Sequence, residues 1–486
     1  MLVSRSVTTK QRLLAEINGG YSVQSGVFGA INPRIATLMT PLGQYEAAID
    51  PETLTDDELV ELARVSAMSN DEVDESDVAD ALFSGVPGIA HDELVGYYSG
   101  LFAGFVVSGD YRSRGSSGGV TTWLLTQLLE RGMVDGVIHA RAGSEGDEVK
   151  FRYAISNTPD EVREGSKSRY YPLDLSEVLR AAKRSGGRYA VTGIPSFVME
   201  LRLLALLDAE FRAAIKFVIG LICGHQKSAK YAEAIAWERG IRPGDLRTVD
   251  FRKKIEGKSA DEYITELRGK IGDEDVVLTC EAGDVFVSSW SHGFFKAKFS
   301  DFTDDLFNET ADVALGDAWL PKYSSDHRGT NLVIVRNPEI ASVITDGVES
   351  GELELEPLDV DSVIRSQPGL VRHAHDELPY RLHRADQRHE WRPLKRVEAS
   401  PDLPLLRRRI QDVREQIAEQ SHIHYRTAVE LGDWSYFVAK MKPLVDRHNA
   451  LYSLTDAKRI LRKGPVHFIR RAVREIRRRI VPRSRS

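Results

Sequence analysis

The segment RSRGSSGGVTTWLLTQLLE, residues 112–130, places a loop rich in glycine and serine directly before an apolar, helix-forming run. Glycine lets a backbone approach a ligand closely, and serine and threonine hydroxyls cap helices. The segment therefore predicts a loop at 112–119 and a helix over 120–131. Because free backbone N–H groups, the helix dipole and two arginines converge there, we expect the loop to bind an anion.

Short apolar strands alternate with helices on both sides of this loop. The predicted strands are 134–140, 149–155, 189–193, 216–222, 276–280, 285–290, 312–315 and 331–335. The predicted helices are 120–131, 175–184, 197–207 and 230–237. This alternation is typical of an α/β protein, so we predict a mixed sheet with flanking helices.

Composition and periodicity divide the chain into six expected regions. They are a small loop-rich module at 1–50, an acidic helical connector at 51–92, the α/β core at 93–345, a linker with peripheral elements at 346–400, a helical appendage at 401–463 and a basic amphipathic tail at 464–486. We therefore expect a helical C-terminal extension beyond the core.

The composition predicts a globular cytoplasmic protein. Of the 486 residues 42% are hydrophobic, and the longest apolar stretches, 201–207 and 217–223, are far shorter than the roughly 20 residues of a membrane-spanning helix. The first residues lack the pattern of a signal peptide. The two cysteines, Cys223 and Cys280, are too few for a disulfide framework or a four-thiolate metal site, so no metal is expected.

The charge of the chain is unevenly distributed. Residues 457–486 carry twelve lysines and arginines against one acid, Glu475, although the whole chain has a net charge of -7. Apolar residues recur at helical spacing in this tail, which predicts a basic helix that lies on an anionic membrane surface, or else docks on the acidic body or on a second subunit. Because the rest of the chain is acidic, we expect no nucleic-acid partner. The alternative in which the tail docks on a second subunit corresponds to a homo-oligomer.

Six motifs occur in a defined order along the core. They are GSSGG (115–119), VDGVI (134–138), SRY (168–170), GIPS (193–196), GLICG (220–224) and ADVALGDAW (311–319). In this order the chain resembles the coenzyme F420 hydrogenase/dehydrogenase beta-subunit family over residues 90–340. The resemblance implies an FAD-binding core that exchanges electrons with a deazaflavin or another partner. Uncharacterised members that resemble this chain are associated with cell-surface polysaccharide pathways.

The cysteines that bind iron–sulfur clusters in this family are replaced here. The ferredoxin-like N-terminal module has Ser22, Ser25, Phe28 and Asn32 at the ligand positions, and is therefore predicted to be degenerate. In the core the corresponding positions are Ser196, Lys296 and Phe299, and Cys223 alone remains. One thiolate cannot hold a four-iron cluster, so the resemblance implies a cluster-free protein. A flavin would then act by hydride exchange, with NAD(P)H or coenzyme F420 as donor, or in a redox-neutral epimerisation.

Candidate site residues follow from the loop, from the strand ends and from the family motifs. The candidates for cofactor binding are Arg114, Ser116, Ser117, Gly118, Gly119, Thr121, Lys167, Arg169, Ser196 and Trp319. The catalytic candidates are His225, as a proton shuttle, Cys223, facing the flavin, and Asp317, which could accept a hydroxyl. Each has a structural alternative: a helix cap with packing glycines, a solvated loop, a core cysteine or a structural histidine.

Three functions are compatible with these residues. The first is a flavin-dependent oxidoreductase that acts on a small-molecule or lipid-linked sugar, peripheral on the inner face of the cell membrane. The second is a non-catalytic scaffold that assembles glycan-pathway enzymes. The third is a group-transfer enzyme whose loop binds a nucleotide-sugar diphosphate.

Overall fold

The computed structural model describes residues 8–462, and the basic tail predicted at 464–486 lies outside this range. The strands are β1 (Thr37–Met39), β2 (Tyr45–Ala47), β3 (Ala90–Asp92), β4 (Gly96–Tyr98), β5 (Gly100–Val106), β6 (Gly136–Ala142), β7 (Phe151–Ser156), β8 (Tyr189–Gly193), β9 (Ile215–Leu221), β10 (Leu246–Lys253), β11 (Ile264–Ile271), β12 (Glu274–Glu281), β13 (Val313–Asp317), β14 (Asn331–Val335) and β15 (Leu353–Pro357). The helices are α1 (Thr9–Gly19), α2 (Val27–Ile31), α3 (Asp56–Val65), α4 (Glu75–Phe83), α5 (Tyr111–Arg114), α6 (Val120–Glu130), α7 (Pro159–Glu164), α8 (Ser176–Ser185), α9 (Pro195–Leu207), α10 (Ala209–Ala214), α11 (Lys230–Glu238), α12 (Pro321–Ser324), α13 (Pro338–Glu349), α14 (Val360–Ser366), α15 (Pro368–Val371), α16 (Leu378–Gln387), α17 (Leu405–Leu431) and α18 (Trp434–Arg462).

A mixed eight-stranded sheet forms the core, in the order β15-β5-β14-β13-β9-β8-β6-β7. The four strands β13, β9, β8 and β6 are parallel, and the strands outside them pair antiparallel. Alternate side chains of β9 face opposite layers: Phe217 and Ile219 pack with α6 and α13, and Val218 packs with α9. The predicted α/β class with a mixed sheet and flanking helices is confirmed.

The glycine-rich loop is built for close packing. Gly119 has a φ of 85° immediately before α6, and a Cβ on Gly118 would lie 2.6 Å from the carbonyl oxygen of Gly104. Glycine is required there because loop and sheet approach so closely. The first N–H of α6, on Val120, donates to Asn331 Oδ1 at 3.0 Å. A distant asparagine, and not a hydroxyl of the loop, therefore satisfies this end of the helix.

A second, three-stranded antiparallel sheet is formed by β10, β11 and β12. The prediction included part of β12 but missed β10 and β11, and it was wrong to place a strand at 285–290. That segment follows a 3-10 turn at Ala282–Asp284, and the N–H of Phe286 donates to Glu238 Oε2 at 2.9 Å. Its apolar residues, such as Val287, are buried in turns between the sheet and the C-terminal helices.

The two ends of the described chain pack on this framework. Leu13, Tyr21 and Val27 of the N-terminal segment share one apolar cluster with α9. The helices α17 and α18 form the predicted helical C-terminal region, and they pack with the three-stranded sheet. No helix within 8–462 combines the length and the apolar character needed to cross a bilayer. The six regional boundaries stay predictions.

Candidate functional site

A cavity of about 250 Å³ opens at the carboxyl ends of the parallel strands β6, β8, β9 and β13, beside the first turns of α6. Ligands of α/β proteins bind at this edge of the sheet. Apolar side chains such as Leu125, Phe197 and Leu315 form one part of the wall. The polar part contains most of the residues predicted for the site: Ser116, Ser117, Gly119, Thr121, Lys167, Arg169, Cys223, His225 and Asp317.

The hydroxyls of the loop already have protein partners. The N–H of Ser168 donates to Ser116 Oγ at 2.8 Å, and Ser117 Oγ donates to the carbonyl oxygen of Thr330 at 3.0 Å. Lys254 Nζ donates to the Ser117 carbonyl oxygen at 2.8 Å. Burial, with Lys167 and other cations nearby, lowers the pKa of Lys254 to about 7. The loop is therefore held rigidly by its neighbours.

Lys167 and Arg169 project from the turn that faces this loop. Lys167 has a φ of 148° and forms an ion pair with Asp250 at 2.9 Å. The Arg169 guanidinium lies 4.8 Å from the ring centroid of Phe151, and its buried Nε has no hydrogen-bond partner within the described chain. Burial lowers the pKa of Arg169 to about 10, so the side chain stays charged at neutral pH. A buried cation in this condition fits an anionic ligand.

His225 and Cys223 follow the end of β9. The His225 ring lies 4.5 Å from the ring centroid of Trp290, and its Nε2 atom has no partner within the described residues. Burial, reinforced by Lys227, holds the pKa of His225 well below its usual range, so the imidazole is neutral. Cys223 Sγ lies 3.5 Å from the His225 carbonyl oxygen, and burial raises the pKa of the thiol.

Asp317 ends β13 and forms a two-pronged ion pair with Arg252 of β10, with distances of 2.6 and 3.3 Å. Burial disfavours the charge on Arg252, but Asp317 together with Tyr170 and Tyr263 more than offsets this, so the pKa of the guanidinium is raised. This pair connects the two sheets at the cavity wall. Trp319 is not on the wall, but its ring centroid lies 5.4 Å from the Arg252 guanidinium.

The other predicted residues lie away from the cavity wall. Gly118 packs against β5 and β14, and Ser196 is buried in the first turn of α9, where its neighbour Phe197 reaches the cavity. Arg114 lines an adjoining cleft. The prediction missed several wall residues: His139, Tyr170, Gln226, Lys227, Arg252 and Asn331. Two of them directly follow predicted residues, so adjacency was a usable signal for Tyr170 and Gln226.

Polar pairs and core packing occur at three of the positions that the resemblance assigns to cluster cysteines: Ser25, Lys296 and Phe299. Ser25 Oγ donates to Glu200 Oε2, and Lys296 forms an ion pair with Asp301. Phe299 is 1% exposed. Burial raises the pKa of Glu200 well above its usual range. No group of three or more histidine, cysteine, aspartate or glutamate side chains suited to a metal ion occurs within residues 8–462.

Known proteins are similar to parts of the chain. An uncharacterized protein of Methanocaldococcus jannaschii is 25% identical over 258 residues, which are 51% of this chain and 84% of that protein. A chain of the F420-reducing NiFe hydrogenase complex from Methanosarcina barkeri is 17% identical, with a TM-score of 0.46 over 61% of this chain and 96% of that chain.

Two family models match consecutive parts of the chain. The N-terminal model of the coenzyme F420 hydrogenase/dehydrogenase beta subunit matches residues 101–180. The C-terminal model of the same subunit matches residues 186–361. The two matches include every residue of the cavity wall and together cover more than half of the chain. The chain therefore belongs to the coenzyme F420 hydrogenase/dehydrogenase beta-subunit family, which is associated with oxidoreductases.

Proposed function

We propose that this protein is a flavin-dependent oxidoreductase that binds FAD in the cavity at the carboxyl ends of the parallel strands. The observation that carries the proposal is a set of polar atoms on the wall that are buried without a partner in the described chain: Arg169 Nε, His225 Nε2, Gln226 Oε1 and Arg252 Nε. Buried polar atoms are normally hydrogen-bonded. Together with the apolar wall, they fit a ligand that has a flat apolar body and several polar edges.

The residues expected to hold the cofactor include cationic side chains and a neutral backbone segment. Arg169 and Lys167 attract its anionic part, and the backbone of the loop at 115–119 with Thr121 borders the same space. A bound flavin supplies the exchange of a hydride in one two-electron step. The protein itself contributes binding, orientation and the exclusion of water.

The protonation states of His225 and Cys223, and the ion pair of Asp317, limit what each side chain can do in the reaction. His225 is neutral, so it holds a substrate hydroxyl or carbonyl through Nε2 as a hydrogen-bonding group and not as a cation. Cys223 remains a protonated thiol, which makes it a poor nucleophile. Asp317 is committed to Arg252, so it orients the wall and does not transfer protons.

We further propose that the protein works without iron–sulfur clusters. The bonds from Ser25 to Glu200 and from Lys296 to Asp301 support this, because a cluster would need thiolates at those positions. NAD(P)H or coenzyme F420 would be the electron donor. A small-molecule or lipid-linked sugar of cell-surface polysaccharide synthesis would be the substrate, with the basic tail on the inner face of the membrane.

The test is to purify the protein anaerobically, record its absorption spectrum, denature it by heat and identify the released ligand by mass spectrometry. Stoichiometric FAD is expected, with no iron and no acid-labile sulfide. Thr121→Trp should fill the cavity and eliminate bound flavin, whereas Gln127→Trp, on the same helix but away from the wall, should retain it. A wild-type protein without flavin would refute flavin dependence, and stoichiometric iron with sulfide would refute the cluster-free proposal.

A further inference from the structure

A second cleft, of about 340 Å³, adjoins the cavity. Both share Ser166, Lys167 and Arg169 in their walls, so these residues form the boundary between the two spaces. The far side of the cleft is formed by β10 and β11 of the three-stranded sheet, which contribute Arg247 and Arg268. A ligand that lies in the cleft can therefore extend into the cavity past Lys167 and Arg169.

Positive charge dominates the lining of the cleft. Among the described residues, seven cationic side chains line it: Arg114, Lys150, Arg163, Lys167, Arg169, Arg247 and Arg268. Three carboxylates, Glu164, Asp250 and Glu266, oppose them and leave a net of four positive charges. This excess contrasts with the net charge of -7 of the whole chain. A concave surface with one sign of charge concentrates ligands of the opposite sign.

Several of these cations are available to a ligand. Lys150 and Arg169 form no ion pair with a carboxylate of the described chain; Lys150 Nζ donates only to the carbonyl oxygen of Asp147. Arg247 pairs with two exposed carboxylates, Glu145 at 3.4 Å and Asp275 at 2.9 Å, and Arg268, whose side chain is itself about half exposed, pairs with Glu266 at 2.9 Å. Such exposed pairs contribute little to stability, so an anion can compete for the guanidinium groups.

We propose that this cleft binds the diphosphate group of a nucleotide-linked substrate or co-substrate, whose reacting part enters the cavity. Arginine guanidinium groups match phosphate oxygens with paired hydrogen bonds. The net of four positive charges also corresponds to a ligand with more than one phosphate. This inference rests on the proposed function, because it assumes that the reaction takes place in the adjoining cavity.

The test uses the full-length protein as purified and inorganic pyrophosphate as the probe, with isothermal titration calorimetry at low ionic strength. Arg247→Gln with Arg268→Gln removes two cleft charges and should weaken pyrophosphate binding about tenfold. Arg242→Gln, an exposed arginine outside the cleft, is the matched control and should leave the affinity unchanged. Equal affinity in the double variant and the control, or no pyrophosphate binding at all, would overturn the inference.

Two further ligands distinguish the sources of the diphosphate. UDP represents a nucleotide-linked sugar, and ADP-ribose represents a nicotinamide dinucleotide. The ligand that binds wild-type protein more tightly than pyrophosphate, and binds the double variant more weakly than wild type, identifies the source of the diphosphate. If neither UDP nor ADP-ribose behaves in this way, the ligand is not nucleotide-linked. Flavin content is measured on the same samples. A protein that contains flavin but does not bind pyrophosphate in the cleft would refute this inference alone. A protein that lacks flavin but binds pyrophosphate through Arg247 and Arg268 would refute only the flavin proposal.

Discussion

Replacing Glu200 with glutamine is expected to stabilise the protein increasingly as the pH rises. Glu200 is 0% exposed, accepts hydrogen bonds from Ser25 and from the N–H of Ala67, and has no cation among its partners in residues 8–462. Burial, reinforced by the nearby Glu16, raises the pKa of Glu200 well above the value of 4.5 that it has when exposed. The folded protein therefore keeps a proton that the unfolded chain releases.

The sign of the effect follows from this difference in bound protons. Below pH 4.5 both states hold the proton, and the neutral carboxyl contributes its full stability. Between that pH and the raised pKa, the free energy of unfolding falls by about 1.4 kcal/mol for each pH unit. Glutamine resembles the protonated acid in shape and its amide oxygen can accept from Ser25 Oγ as the carboxyl oxygen does, but it does not titrate.

The assay is urea unfolding followed by circular dichroism at a series of pH values above 5. The unfolding midpoint of Glu200→Gln should rise relative to wild type with each step in pH. Glu61→Gln is the control, because Glu61 is exposed and makes no ion pair in the described chain. Midpoints of wild type and Glu200→Gln that remain parallel over the whole range would refute a buried, protonated carboxyl at this position.

Three other predictions test the loop, the site and the tail. Gly118→Val should destabilise the fold by about 1–3 kcal/mol in chemical unfolding, because its Cβ would lie 2.6 Å from the Gly104 carbonyl oxygen, whereas Gly85→Ala, in open space, should not. NMR of histidine-labelled protein should show His225 neutral down to well below pH 6.5, since burial lowers its pKa; titration near 6.5 would contradict this. Removal of residues 464–486 should release the protein from anionic liposomes in sedimentation, and unchanged binding would exclude a tail anchor.

Much of the core sheet could be predicted because its strands are short apolar runs bounded by turns. Tyr189–Gly193 and Asn331–Val335 are buried at every position, and both were predicted with their observed bounds. By contrast, β10 and β11 carry charged residues within the strand and remained unrecognised. Segment 285–290 has the apolar composition of a strand, but the side chain of Glu238 satisfies its backbone at Phe286, which no local pattern indicates.

Part of the site could be predicted because several of its residues lie at the ends of predicted strands. Cys223, His225 and Asp317 were found because they follow strands whose carboxyl ends meet at one edge of the sheet. Arg252 was missed because it comes from the other sheet, and tertiary packing brings it to the cavity wall, where it pairs with Asp317. Contacts between distant segments of this kind depend on tertiary packing, which local sequence does not reveal.

The glycine-rich loop shows how a local motif can indicate a site while its side chains also serve the packing of the fold. Its glycines allow close packing on β5 and β14, its two serine hydroxyls bond to Ser168 and Thr330, and Asn331 satisfies the first N–H of α6. The loop therefore has less capacity to bind an anion than its sequence suggests. We propose that anion binding depends more on Arg169, across the cavity, a cation with no carboxylate partner in the described chain. If the loop were the main anion site, Arg169→Gln would leave the affinity for flavin unchanged; we expect a marked loss, because no other unpaired guanidinium in the described chain spans both the cavity and the cleft.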